Sequence, residues 1–233
     1  KTKTFILIFV LFITLPLDQS LVINYINFKN IDSFILLNEA SIFFTIFCIY
    51  FFYNSLNFSD GYNGISLTLS LYILFTLVLI RGESNIIYTS CIFGLVALIL
   101  PNIFNKLFIG NSGVNLISII LSLIIIDTYN KELIFFDEIM LIVFLPALDA
   151  SRITIERIIQ GKSPFQSDKN HFHHLLNKII HKNIIFVIYL IISVAPYLIS
   201  KFILNTYYTL CASTIFYFLI LFLLKKTKAR NIS

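Results

Sequence analysis

Long apolar runs, broken at Lys, Arg, Gly, Asn or Asp, organise this chain from end to end. Cutting at the breaks leaves about eight stretches, near 5–17, 39–56, 65–80, 86–101, 113–127, 133–148, 183–200 and 204–224. Most come close to the ~20 apolar residues that a helix needs to cross a bilayer, and the short ones need polar flanks. The pattern predicts an all-α integral membrane protein with about eight transmembrane helices.

Composition supports that reading. Hydrophobic residues make up 58% of the 233, charged residues 12%, and the mean hydropathy is +0.90, whereas about a quarter of a soluble domain is charged. Lys1 and Lys3 before the run from Phe5 to Leu17 imitate a signal peptide, but no small-x-small cleavage site follows at Asp18, Gln19 and Ser20. No initiating Met is present, so we expect residues 1–233 to be one transmembrane domain whose earlier spans are missing. Cys48, Cys91 and Cys211 sit in separate apolar runs and read as small hydrophobes.

Charge gives the orientation. Segments 1–4, 57–64, 102–112, 149–182 and 225–233 fall on one side by span parity and hold 13 of the 17 basic residues; Lys29, Arg81, Lys131 and Lys201 fall opposite. The positive-inside rule makes the first side cytoplasmic. Two of these segments are expected as a basic, histidine-bearing loop (149–182) and a basic tail (225–233).

The most unusual polar sequences also fall on that side. Residues 53–66 read YNSLNFSDGYNGIS. Asn54 and Asn57, three apart, share a face at a helix end, and Asp60 leads into a turn that Gly61 and Gly64 make flexible; an ordinary turn uses the same residue types. In PNIFNKLFIGNSGVN, residues 101–115, Gly110 and Gly113 bracket Asn111 and Ser112 at the start of a span. Backbone N–H groups there suit a phosphate and Lys106 adds charge, although a plain capping turn explains the stretch equally well. In the third segment Arg152, Arg157, Lys162 and Lys169 can meet lipid head groups or a nucleotide's phosphates. His171 and His174 face one way on a helix, with His173 turned aside. No Glu lies between them and no second ligand pair is near, so zinc-protease chemistry fits poorly. Phosphate donation or proton transfer fits better.

Taken together, these loops resemble the polyprenyl-phosphate N-acetylhexosamine-1-phosphate transferases of bacterial membranes. Asn54-Ser-Leu-Asn57-Phe-Ser-Asp60-Gly61-Tyr-Asn63-Gly64 resembles the family's NxxNxxDGxDG loop. Phe108-Ile-Gly110-Asn111-Ser-Gly113 resembles its FxGDxG loop, and Asp168-Lys169-Asn170-His171-Phe-His173-His174 its DRxHxHH loop. The resemblance covers essentially the whole chain. It implies that a lipid phosphate, usually undecaprenyl phosphate, attacks the β-phosphate of a UDP-linked N-acetylamino sugar, giving lipid-pyrophosphate-sugar and UMP. It also implies Mg²⁺, or Mn²⁺ in its place, to offset the repulsion of two anions. By that resemblance Asp60, His171, His173 and His174 are catalytic, Asn111 and Asp60 hold the metal, and Asn54, Asn57, Asn63, Lys106, Arg152 and Lys169 contact substrate. The expected setting is the cytoplasmic face of a bacterial inner membrane, with membrane lipid, UDP-sugar and undecaprenyl phosphate as partners, a homodimer as an option, and no nucleic acid. HFHH is closer to the members that start O-antigen, common-antigen or teichoic-acid carriers than to the peptidoglycan translocase, which favours UDP-GlcNAc or a related sugar over UDP-MurNAc-pentapeptide.

The chain departs from the pattern at two carboxylates. Asn63 stands where the second Asp of DGxDG is usual, and Asn111 where the metal-binding Asp of FxGDxG is usual. A carbonyl oxygen can still ligate Mg²⁺ but brings no charge. The family's Asp-Asp motif is expected before Lys1. Two other readings stay open: a non-catalytic relative that binds lipid phosphate or nucleotide sugar, and a transporter whose histidines handle a metal. Against the transporter, Asp127, Asp137 and Glu138 lie near span ends rather than along a path.

Overall fold

The computed structural model describes residues 2–82, 85–163 and 170–230. Helix α1 (Thr2–Thr14) leads through two short 3₁₀ turns into an antiparallel hairpin, β1 (Tyr25–Phe28) and β2 (Ile31–Leu36). Then follow α2 (Ser41–Ser59), α3 (Ile65–Arg81), α4 (Ile86–Ile103), α5 (Gly110–Asn130), α6 (Phe136–Ile142), α7 (Phe144–Ile159), α8 (Phe172–Leu176), α9 (Ile185–Phe202) and α10 (Thr206–Arg230). Five segments among the described residues are long and apolar enough to cross a membrane: Asn38–Ser59, Ile86–Ile103, Gly110–Asn130, Lys182–Phe202 and Thr206–Lys226. Two shorter apolar helices, Phe5–Leu17 and Ile65–Arg81, join them.

The sixth expected span, 133–148, is not one helix. It is divided at Val143 into α6 and α7. Pro146 supplies the cause, because its ring nitrogen cannot donate to the carbonyl of Ile142 and its ring crowds that carbonyl. Helix α7 then runs on to Ile159, so the stretch expected as a loop from residue 149 begins as helix.

Helices α2, α3 and α5 pack at the centre. Buried hydroxyl residues line their contacts: Ser55, Ser59, Ser66, Thr68, Ser70, Ser118, Ser122 and Thr128. In lipid, where no hydrophobic force drives helices together, small side chains permit close approach. Most of these hydroxyls bond a carbonyl of their own helix, as Ser55 does to Phe51 (2.8 Å), Ser70 to Ser66 (2.7 Å) and Ser122 to Ser118 (2.8 Å). That bond removes most of the cost of burying the group.

The two ends of the bundle differ. At one end the hairpin is clamped down by ion pairs. Glu138, almost fully buried, receives Lys29 at 2.8 Å and Lys201 at 2.9 Å, Asp137 accepts from the Lys29 backbone N–H and from the Thr206 hydroxyl, and Tyr129 donates to the Tyr25 carbonyl at 2.9 Å. Asp127 pairs with the buried Arg81 at 2.6 Å nearby. The three acids named above as lying near span ends are thus all engaged. The other end gathers the histidines and both glycine-containing loops.

Candidate active site

Asp60 caps the C-terminal end of α2, and the Ser66 hydroxyl at the start of α3 donates to its carboxylate. Burial raises the Asp60 carboxyl above its ordinary range, an effect the Ser66 bond partly offsets. The chain then turns through Gly61 to Gly64, whose φ of 90° is left-handed and suits glycine. Gly61 is required for a different reason. A Cβ placed there would lie 2.0 Å from His173 Nε2, so the ring edge of His173 rests directly on the glycine backbone.

Two asparagines that sequence reasoning did not single out join the loops. Buried Asn102 accepts from the Gly64 N–H at 2.6 Å and donates to the Leu107 carbonyl at 3.0 Å, tying the 60–64 turn to the 104–109 turn. Asn115 accepts from Asn57 at 2.6 Å. Asn111 lies one turn before Asn115 on α5 and is exposed, as is Lys106. Asn63 donates to Asn105 at 2.7 Å, and Asn54 to the Tyr50 carbonyl of its own helix. The structure therefore brings Asn57, Asp60 and Asn63 into joints between elements, while Asn54 bonds within its own helix.

The histidines are not in a solvated loop, as their polar neighbours suggest. His171 is 6% exposed and His173 0%. Helix α8 begins at Phe172, which leaves His171 before the first turn instead of on a shared face with His174. The three rings nevertheless form one cluster: His171 and His173 stack at 5.5 Å with planes 3° apart, and His173 and His174 lie 4.3 Å apart. Tyr62 meets both His173 and His174 edge-on, and its hydroxyl is 3.5 Å from His174 Nδ1. His173, the residue expected to turn aside, points inward. Among the described residues neither ring nitrogen has a hydrogen-bond partner, and burial first, then His174 and His171, push it down to about 3. It stays neutral at physiological pH, and the unmet bonds are worth roughly 1–3 kcal/mol against the fold.

Arg152, expected as a substrate contact, is used inside the protein. Its Nε donates to Tyr217 (2.8 Å), and its terminal nitrogens donate to Glu156 (3.0 Å), Asp149 (2.7 Å) and the Asn170 carbonyl (2.7 Å). The centre of this network is Asp149, which sequence reasoning missed. It is 3% exposed and accepts from Arg152, from the Tyr217 hydroxyl (2.8 Å), from the Phe172 N–H (3.2 Å) and from His171 Nδ1 (3.3 Å). Burial pushes its carboxyl up, but the His171 bond and the Arg152 charge outweigh burial and hold it well below the usual carboxylate range. Lys169 and Asp168, also expected at the site, lie outside the described residues.

One cavity adjoins this end, and a second runs from the hairpin end, beside Ile23, Tyr129 and Phe136, along α7 to Ser151. The first, of about 460 Å³, is lined among others by Gly61, Tyr62, Asn63, Asn105, Lys182 and Asn183. The other, of about 420 Å³, is almost wholly apolar and follows α2 and α6–α7 from Phe136 to Ser151. No cluster of three or more His, Cys, Asp or Glu able to hold a metal occurs among the described residues.

Residues 1–129 match the family model described as glycosyl transferase family 4. The chain belongs to that family. The matched segment of this family 4 chain holds the Asp60 and Asn111 loops, and the histidines follow it. The chain is 26% identical over 202 residues to the decaprenyl-phosphate N-acetylglucosaminephosphotransferase of Mycobacterium leprae (strain TN), covering 74% of this chain and 51% of the relative. The protein of the same name from Mycobacterium tuberculosis (strain ATCC 25618 / H37Rv) is 27% identical over 202 residues, 74% of this chain and 50% of the relative. The undecaprenyl-phosphate alpha-N-acetylglucosaminyl 1-phosphate transferase of Escherichia coli (strain K12) is 26% identical over 147 residues, 58% of this chain and 40% of the relative. The chain thus spans about half, or less, of the length of the curated relatives it matches.

Proposed function

We propose that the full-length protein transfers an N-acetylamino-sugar-1-phosphate from a UDP-sugar to a polyprenyl phosphate. The observation that carries this is the convergence, at one end of an apolar bundle, of three polar segments far apart in sequence around a polar cavity, with an apolar cavity that reaches toward them along α7. The polar cavity falls within the range of small-molecule sites, and Lys182 and the asparagines around it suit a nucleotide sugar. The apolar cavity suits the polyprenyl chain, and it ends at Ser151, two residues from Asp149. An oxygen of the lipid phosphate attacks the β-phosphorus, the bond to the bridging oxygen of UMP breaks, and UMP leaves with the bonding electrons.

The residues present fit Mg²⁺ when substrate phosphates complete its shell, since Mg²⁺ in phosphoryl-transfer sites commonly takes one or two carboxylates and keeps waters. Asp60 would supply the carboxylate and Asn111 a carbonyl, and the ion would offset charge on the two phosphates. His171 and His174 act on the diphosphate. His173 shapes the Asp60–Gly61 turn from behind. The names of the relatives favour N-acetylglucosamine as the sugar.

The test is UMP released from UDP-GlcNAc and undecaprenyl phosphate by the full-length protein across a Mg²⁺ titration. Asn111→Asp is expected to lower the Mg²⁺ requirement, because a unit charge pair 4 Å apart is worth roughly 4 kcal/mol at an effective dielectric of about 20 before desolvation. Turnover with an unmoved Mg²⁺ dependence would remove Asn111 from the metal. No UMP from either form, with tighter Mg²⁺ binding by Asn111→Asp, would mark a binding protein that has lost the reaction.

The site end is placed in the cytoplasm on the strength of its basic residues. A cysteine at the exposed Ser112 should react with an impermeant maleimide only after the inner face is opened, and one at the exposed Ser33 of β2 in intact cells. The reverse pattern would invert the topology.

A further inference from the structure

The ring of His171 is tied to a carboxylate, and that carboxylate belongs to another element. We propose that Asp149 and Tyr217 are positioning residues that hold His171 in a single orientation and tautomer, with Nδ1–H toward Asp149 and Nε2 left for the substrate. This rests on the transfer reaction proposed above for the role of Nε2, but not for the tautomer itself.

The direction of each hydrogen bond follows from the donors. Arg152 and the Phe172 N–H can only donate, and both donate to Asp149, which fits an ionised carboxylate that can only accept. The Tyr217 hydroxyl accepts from Arg152 Nε at 2.8 Å, so its own proton goes to Asp149 Oδ1 at 2.8 Å. The remaining contact, His171 Nδ1 to Asp149 Oδ2 at 3.3 Å, then has to be donated by the imidazole. A neutral imidazole with its proton on Nδ1 has its lone pair on Nε2. Stacking on His173 and the contact with Phe58, centroids 5.3 Å apart, fix the plane of the ring but do not choose between its two nitrogens. Asp149 makes that choice, as carboxylates commonly do for histidines that must present one nitrogen.

Tyr217 brings α10 into the arrangement. It is 1% exposed, its ring packs on Phe172 at 5.2 Å, and Lys225, two turns further on, pairs with Glu156 at 2.9 Å. The last helix thus holds both the carboxylate that orients His171 and the arginine that keeps this carboxylate ionised. A residue 46 positions beyond the histidine is part of its support.

The chain has four histidines, so nitrogen-15 labelling of histidine alone gives a spectrum simple enough to assign by single substitutions. In the full-length protein His171 is expected as the Nδ1–H tautomer. Asp149→Asn offers an amide N–H to Nδ1 and should move the proton to Nε2 or mix the forms. Tyr217→Phe keeps the ring on Phe172 and removes only the hydroxyl, so it should broaden or shift the His171 signals while the fold holds. Both variants are expected to lower kcat about 10- to 100-fold with little change in KM for the UDP-sugar. Unchanged His171 signals in Tyr217→Phe, or in a folded Asp149→Asn, would overturn the proposal. A tautomer shift in a protein that releases no UMP even unsubstituted would keep the proposal and sink the transfer reaction instead.

Discussion

Replacing Gly61 by alanine in the full-length protein is expected to lower UMP release about 100-fold, the cost of misplacing reacting groups by roughly 1 Å, and to destabilise the fold. The new methyl would meet His173 Nε2 at 2.0 Å, Cδ2 at 2.7 Å and Cε1 at 2.8 Å. His173 is 0% exposed and packed against His171, His174, Tyr62 and Tyr189, so the ring cannot yield without displacing a neighbour. Either the turn lifts and carries Asp60 with it, or the ring shifts and disturbs the other two histidines. Overpacking of this kind costs about 1–3 kcal/mol. The diagnostic is the pair of substitutions together: adding His173→Ala to Gly61→Ala should recover part of the lost melting temperature, because the two side chains compete for one space. A Gly61→Ala protein as active and stable as the wild type would show that the ring does not sit there.

Asp60→Asn should be costlier for the reaction and cheaper for the fold. Asparagine keeps the shape, and its carbonyl can still accept from Ser66, so the melting temperature should hold. What is lost is the one carboxylate assigned to the metal, and removing such an electrostatic partner costs about 10²–10³ in turnover. The measurement is UMP release at saturating Mg²⁺ beside thermal stability in detergent. Near wild-type turnover would take Asp60 out of the reaction.

How much of this was legible in the chain depends on the range of the interactions. The apolar runs show the spans because crossing a bilayer is a demand on each segment alone. The break at Val143 also had a local signal in Pro146. The Asp60–Gly61 turn was visible as a motif, but its reason was not, since the residue that demands glycine is 112 positions away. Burial of the histidines was misread for the same cause. Polar neighbours suggest solvent, yet Phe58 and Tyr189 from other helices and Tyr62 from the 60–64 turn close over the rings. Asp149 gave no signal at all: in PALDASRITIERI it reads as the first residue of the expected basic loop, and its partners stand 3, 22, 23 and 68 positions off. Arg152 carried the opposite error, a charge assigned to a ligand that the fold needs to balance its own acid.

A hydroxyl that bonds a carbonyl of its own helix asks nothing of the helix beside it. Exchange of Ser55, Ser70 or Ser122 for another small residue therefore orphans no partner across the contact, and each helix can change there without a matching change elsewhere. Asn102 and Asp149 are different, because each bonds partners in separate segments and no single replacement keeps them all. Mutational drift meets little resistance along the helix contacts and a barrier at those joints, so the bundle tolerates wide divergence in sequence while the end that carries the histidines does not.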